Sequence, residues 1–331
     1  MQDLSQFLII FIYFVYIKYF SQTDTISPLF VLVVLYSAIN QFYLPAESSL
    51  VPALVNKTWL PKANSLFFFS QQVSLFFGFG LGGLMVAFLG FENSILLCSV
   101  FLFFAFLSVR LITKLKKRKS NFETLSQFVV DIKQKIFEGY LFLAKEKNVY
   151  GPVAIIFLIQ SCLYIIIANM PSIAVNLIGV SVDKMGMYVV VPAALGALFA
   201  GISVSKLLTL LSRKIRVIKL GFLTILVSSL FLLLFSFFPN MINKIFYLTF
   251  IFTIGMGYVY VNIPTITFLQ NKTPDEIRGR VFGSLYFLST IISVIPVLVS
   301  GVLVDIYGVK IVLTAILLVA IMALSVLQKR K

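Results

Sequence analysis

The chain has 331 residues, of which 60% are hydrophobic and 12% charged, and its formal net charge is +15. A water-soluble domain carries about a quarter charged residues, so this composition points to lipid as the solvent. The basic residues lie between apolar runs and form no face of their own, which excludes nucleic acid as their partner.

Histidine is absent. Histidine metal sites, histidine general bases and Ser-His or Cys-His pairs are therefore excluded. No cofactor, metal or enzymatic activity is expected. Cys98 and Cys162 sit in separate apolar runs and form no disulfide framework.

Residues 1–6 lack a basic n-region, and no small-residue cleavage site follows the first apolar run. That run is read as a span rather than a signal peptide. A spanning helix needs about 20 apolar residues. Ten runs fit, near residues 5–22, 27–46, 64–89, 93–112, 151–171, 185–208, 216–238, 244–268, 278–304 and 308–327. None alternates with period two, which argues against a β-barrel. The expected fold class is an all-α membrane protein.

With a cytoplasmic N-terminus, 23 of the 27 Lys and Arg residues fall inside and 4 outside. The positive-inside rule then places both termini in the cytoplasm. The polar stretch 113–150 opens with Lys114, Lys116, Lys117, Arg118 and Lys119. Phe122, Leu125, Phe128, Val129, Ile132 and Ile136 follow at helical spacing, which predicts an amphipathic helix on the inner leaflet or under a bundle. This segment divides a bundle at 1–112 from one at 151–331.

A repeat relates the two parts. Gly83-Leu-Met-Val-Ala-Phe-Leu-Gly90 aligns with Gly301-Val-Leu-Val-Asp-Ile-Tyr-Gly308 at an offset of 218, and Leu44-Pro45 with Ile263-Pro264 at 219. Asn56-Lys57-Thr58 and Asn271-Lys272-Thr273 open the two copies. The second copy has six runs and the first has counterparts for the last four. Two helices are thus expected to be absent ahead of residue 1, either lost or cut off by a misplaced start.

Phe42-Tyr-Leu-Pro-Ala-Glu-Ser-Ser-Leu-Val-Pro52, Leu60-Pro-Lys-Ala-Asn64 and Thr273-Pro-Asp-Glu-Ile-Arg-Gly-Arg-Val-Phe-Gly283 carry a family resemblance. They resemble the major facilitator superfamily, in its macrolide-efflux and enterobactin-exporter branch. The resemblance implies a major facilitator-type bundle of about ten helices, four plus six, with an incomplete N-terminal half. It implies a multi-pass cell-membrane transporter that exports a hydrophobic or amphipathic small molecule by alternating access. The partners would be the bilayer, the substrate and a proton or other coupling ion; the alternative is a non-transporting remnant or membrane partner protein.

Two positions depart from the branch pattern. Phe79 stands where the helix-five motif carries proline, and Glu47 where arginine is usual. Because no acidic residue lies at a span centre, Glu47 is the candidate proton site, with a rim ion pair as its other reading. The family's cavity-lining helices point to Asn40, Gln160, Asn169 and Asn262 as substrate contacts; interhelical hydrogen bonding is the alternative for each. Asp275, Glu276, Arg278 and Arg280 are the gating-loop candidates.

Thr273-Pro274-Asp275-Glu276 also predicts a helix start, with Thr273 as cap, Pro274 at the first helical position and Glu276 closing a capping box. Gly78, Gly80, Gly82 and Gly83, like Gly196, Gly201, Gly255 and Gly257, predict close helix approach, or else a hinge. Pro171, Pro192 and Pro296 predict helix kinks.

Overall fold

The computed structural model describes residues 2–20, 26–41, 43–111, 137–211, 213–237 and 244–328. Among these residues every regular element is helical. Lipid offers backbone groups no hydrogen-bond partner, so each segment must satisfy its own. Serine and threonine follow the same logic. Ser65 Oγ donates to the Pro61 carbonyl at 2.7 Å and Ser289 Oγ to the Leu285 carbonyl at 2.8 Å, one turn back.

The first half comprises α1 (Gln2–Phe20), α2 (Ile26–Asn40), α3 (Tyr43–Leu54) and α4 (Leu60–Leu111). The run expected at 27–46 is thus divided, because α2 ends at Asn40 and α3 begins afresh two residues before Pro45. A proline has no backbone N–H to donate to the preceding turn, so a helix break beside it is cheap. α4 has two arms that meet at Gly90, where φ is 78° and ψ 166°. The second arm packs on α1, with the Phe7 and Phe103 rings 5.3 Å apart.

The second half begins with the short helix α5 over residues 137–145. The amphipathic pattern at 122–136 lies outside the described residues. Within α5, Leu143 joins Val149, Ile156, Leu269, Phe282 and Leu285 in a buried cluster. The end of the expected divider is therefore packed against the second half. Then come α6 (Tyr150–Ala168) and the single turn α7 (Met170–Ser172). Two π-helical turns, Ile173–Ile178 and Gly186–Val190, lead into α8 (Val191–Leu210). The bundle ends with α9 (Lys214–Phe235), α10 (Lys244–Lys272), α11 (Arg278–Tyr307) and α12 (Lys310–Gln328). Pro171 lies in the single turn α7, and Pro192 stands where the π turn Gly186–Val190 gives way to α8; Pro296 lies inside α11.

Among the described residues, seven helical stretches are long and apolar enough to cross a membrane, and Pro28–Asn40 is a shorter apolar helix. Large apolar side chains such as Phe30, Phe88 and Ile295 are exposed on the outer surface, as lipid-facing residues are.

The repeat is visible in the backbone. Gly308, between α11 and α12, has φ 76° and ψ 174°, nearly the angles of Gly90 at the aligned position. A side chain at positive φ is strained, so both copies require glycine at this corner.

α10 lies at the centre of the second half, between α8 and α9. A Cβ on Gly196 would strike the Phe252 carbonyl, and one on Gly255 the Ala193 carbonyl, so α8 and α10 cross almost backbone to backbone. Gly257 is packed likewise against Thr224 and Gly221 of α9. The close approach expected at Gly78 is not found, since a Cβ there would meet nothing within 4 Å. Gly78 borders an open cleft between α2 and the first arm of α4.

The capping box is corrected. Thr273 Oγ1 donates 2.7 Å back to the Leu269 carbonyl and so closes the end of α10. Residues 275–277 form a turn, and α11 begins at Arg278 without a side-chain cap. Thr273 is 2% exposed, and its hydroxyl finds its acceptor one turn back rather than at the start of α11.

These packing differences predict opposite outcomes for two glycines. Gly255→Val should cost about 1–3 kcal/mol by overpacking, seen as a lower Tm in detergent. Gly78→Ala should leave Tm unchanged or slightly raised. Equal losses would refute the α8–α10 crossing as the tighter site.

Candidate functional site

The two halves meet where α4 packs on α8 and α3 on α11. Between them lies a cavity of about 590 Å³. α3 and the first arm of α4 supply one wall, and α6, α8 and α10 the other. Gln71, Gln72, Gln160, Tyr164, Tyr258 and Asn262 give it a polar belt. Asn262 Nδ2 donates to the Tyr258 hydroxyl at 2.8 Å, which fixes both side chains on one face of α10.

One end of the cavity is closed by hydrogen bonds across the halves. Asn64, one turn into α4, donates through Nδ2 to Thr267 Oγ1 at 2.8 Å and to Gln270 Oε1 at 2.6 Å. Gln270 Nε2 donates to the Ser48 carbonyl of α3 at 3.1 Å. The Ser48 and Tyr286 hydroxyls share a bond of 3.0 Å. Asn64, Gln270 and Thr267 are 9%, 1% and 0% exposed. Each such bond contributes about 0.5–1.5 kcal/mol net, whereas stranding one buried partner costs about 1–3 kcal/mol. This lock contains no charged group. Neutral amides avoid the desolvation cost that a buried ion pair carries.

The gating-loop candidates sit beside the lock, on the rim of the second half. Arg278 is buried, pairs with Asp275 and donates to the Thr273 carbonyl at 3.2 Å. Arg280 of α11 pairs with Glu138 of α5. Both ion pairs lie within the second half. Glu276 is exposed. Glu47 lies in α3, next to Ser48, and its side chain is outside the description.

The four cavity candidates are not brought together. Gln160 and Asn262 line the cavity. Asn40 is exposed in the cleft between α2 and α4, with Tyr36, Ser70 and Gln72. Asn169 is buried at the end of α6 and donates to the Ile165 carbonyl and to Ser300 Oγ, both at 2.9 Å, which ties α6 to α11.

The lock residues Ser48, Asn64, Thr267, Gln270 and Tyr286 escaped the sequence reading. Asn64 and Gln270 lie within one turn of a helix end, where a polar residue ordinarily faces water. The one available signal was proximity, since Asn64 closes one of the quoted motifs and Gln270 directly precedes Asn271-Lys272-Thr273.

Known proteins agree with this architecture. The model of the Major Facilitator Superfamily matches residues 4–296. The chain is 25% identical over 343 residues to the uncharacterized MFS-type transporter YfmI of Bacillus subtilis (strain 168), covering 100% of this chain and 80% of that protein. It is 26% identical over 263 residues to the uncharacterized MFS-type transporter YvqJ of the same organism, covering 78% of this chain and 60% of that one. In fold it is similar to the crystal structure of a bacterial homologue of the iron transporter ferroportin in an outward-facing state. The TM-score is 0.65 at 16% identity, over 99% of this chain and 81% of that one. The chain belongs to the major facilitator superfamily, as a multi-pass membrane transporter.

Proposed function

We propose that this transporter exports a hydrophobic or amphipathic small molecule by alternating access, as the macrolide-efflux and enterobactin-exporter branch does. One observation carries the reading. A cavity between two helical bundles is sealed at one end by hydrogen bonds that cross from one bundle to the other. Two bundles rocking about a midplane site need such a removable seal.

The placement of Lys and Arg supports a cell-membrane orientation with both termini in the cytoplasm. The lock is then the cytoplasmic gate, closed here, and the cavity belongs to an outward-facing state. Arg278–Asp275 and Arg280–Glu138 hold the second-half rim together, so that Gln270 and Tyr286 move as one body. Glu47 is the proposed proton site, since it neighbours the lock in sequence. Gln160 and Asn262 contact substrate in this reading; Asn40 and Asn169 have structural roles.

A non-transporting membrane partner protein is the second reading. The exposed cleft of α2 and α4, with Asn40, Ser70 and Gly78, favours it as a surface open to another helix.

Proteoliposomes containing the full chain should release or accumulate lipophilic substrates above protein-free controls. Folded protein without any such flux would establish the second reading. The lock makes a sharper prediction. In a Cys98→Ser, Cys162→Ser background, Gln160→Cys reports on access to the cavity. Adding Gln270→Ala removes one of the two partners of Asn64 and the donor to the Ser48 carbonyl and favours opening by about 1–3 kcal/mol, and each 1.4 kcal/mol is about tenfold in population. Labelling by an impermeant thiol reagent from the cytoplasmic face should therefore rise roughly tenfold. An unchanged rate would remove the lock from the transport cycle.

A further inference from the structure

The lock residues Ser48, Asn64, Gln270 and Tyr286 bond to one another. Elsewhere on the cavity wall, Gln160 and Tyr164 stand one turn apart on α6, and Tyr258 and Asn262 one turn apart on α10. α6 packs on α10, so both pairs move with the second half.

The α10 pair has a fixed sense. Asn262 is 7% exposed, and its Nδ2 donates to the Tyr258 hydroxyl at 2.8 Å. A tyrosine hydroxyl that accepts still has its own proton to donate, and a carboxamide that donates still has its oxygen to accept. Among the described residues neither side chain makes another hydrogen bond. The cavity wall therefore carries a donor, Tyr258 O–H, beside an acceptor, Asn262 Oδ1. The Tyr258 ring also meets Phe68 of α4, with centroids 5.9 Å apart, so the pair sits at the seam between the halves. Phe67, Phe68 and Leu75 present an apolar surface from the first half.

A ligand that matches this pair must carry an acceptor and a donor side by side, as a secondary carboxamide does with its C=O and N–H. Among the described lining residues none is charged. A ligand with a net charge would find no counter-ion here and would lose its hydration without compensation.

We propose that Tyr258 and Asn262 select an uncharged ligand bearing a secondary carboxamide. Tyr258 donates to its carbonyl, Asn262 Oδ1 accepts from its N–H, and its apolar body lies against Phe67, Phe68 and Leu75 of α4. This rests on the reading of the cavity as the substrate site. It narrows the substrate class from lipophilic molecules in general, organic cations included, to neutral amides, and makes these two residues the determinants of specificity.

The test uses the full chain in lipid nanodiscs and the photoreactive benzophenone para-benzoyl-N-butylbenzamide. Crosslinked peptides should come from α6 and α10, at Gln160, Tyr164, Tyr258 and Asn262, and from α4 around Phe68. N-butylbenzamide should compete about tenfold more strongly than butyl benzoate, which keeps the carbonyl and lacks the N–H, since one unmatched buried hydrogen-bonding group is an effect of that order. N-butylbenzylammonium should compete more weakly than either. Tyr258→Phe should weaken amide and ester alike, about tenfold, and leave the preference for the amide intact. Asn262→Leu should weaken the amide alone and abolish the preference. A merely structural role for Asn262 would weaken both ligands and spare the preference. Should Asn262→Leu fail to fold, Asn262→Ala removes the same acceptor and should give the same result. Equal competition by the ester or the ammonium in the parent chain would overturn the proposal. So would a preference that survives in the folded Asn262 variant, or crosslinks confined to lipid-facing residues such as Ile295 and Leu298. Amide-selective binding without flux in proteoliposomes would remove transport and keep the site. Flux of the ammonium without amide-selective binding would do the reverse.

Discussion

Lipid is as apolar as the side chains it surrounds, so the hydrophobic effect gives two membrane helices little reason to adhere. Close packing and interhelical hydrogen bonds must do so instead. Within the second half, packing suffices. Gly196, Gly255 and Gly257 let α8, α9 and α10 approach until backbone meets backbone. Between the halves the contact is different in kind. Gly201 of α8 faces the Ser65 carbonyl at an ordinary van der Waals distance of 3.7 Å. The interface instead has the amide of Asn64, shared by Thr267 and Gln270, and the Ser48–Tyr286 bond. Glycine crossings cannot come apart without opening voids in a core. Hydrogen bonds near a helix end can exchange for water. A body that stays rigid and a seam that parts are therefore built from different residues.

The sequence made the rigid features legible and hid the seam. Helices were evident because lipid permits little else, and the corner glycines because one backbone conformation needs glycine twice, at Gly90 and Gly308. The positions of Gln160 and Asn262 on the cavity followed from the family's helix order. The lock did not, because its meaning lies in pairing. Asn64 and Gln270 are 206 residues apart, and neither is unusual alone. The same limit explains Thr273. Its hydroxyl suits a helix start by pattern, yet the neighbouring α10 carbonyl was available first. It also explains Asn40 and Asn169, polar residues on apolar helices whose partners differ. One accepts from Gln6 Nε2 of α1 at 3.4 Å beside an open cleft, and the other donates to a serine of α11.

The π-helical turns connect these two kinds of structure. Ile173 and Val189 lie in those turns and also border the cavity. A π turn widens the helix and costs hydrogen-bond geometry, which is why it is rare and clusters at functional sites. Here it interrupts the path between α6 and α8 beside the cavity. A regular helix through the same residues would direct different side chains at the cavity.

The absence of charge along the described lining bears on how transport would be driven. An electroneutral cargo feels no force from the membrane potential. For such a cargo, coupling would act on the protein's conformational equilibrium and not on the ligand. In the proposed cycle Glu47 is suited to that task by position, since it adjoins Ser48, whose carbonyl and hydroxyl both hold the lock. A proton taken up at Glu47 would change the charge next in sequence to a lock whose own hydrogen bonds are between neutral groups. A small electrostatic change weighs most where the opposing interactions are a few neutral hydrogen bonds, each about 1 kcal/mol net. The neutrality of lock and cavity would thus leave one carboxylate able to bias the whole equilibrium.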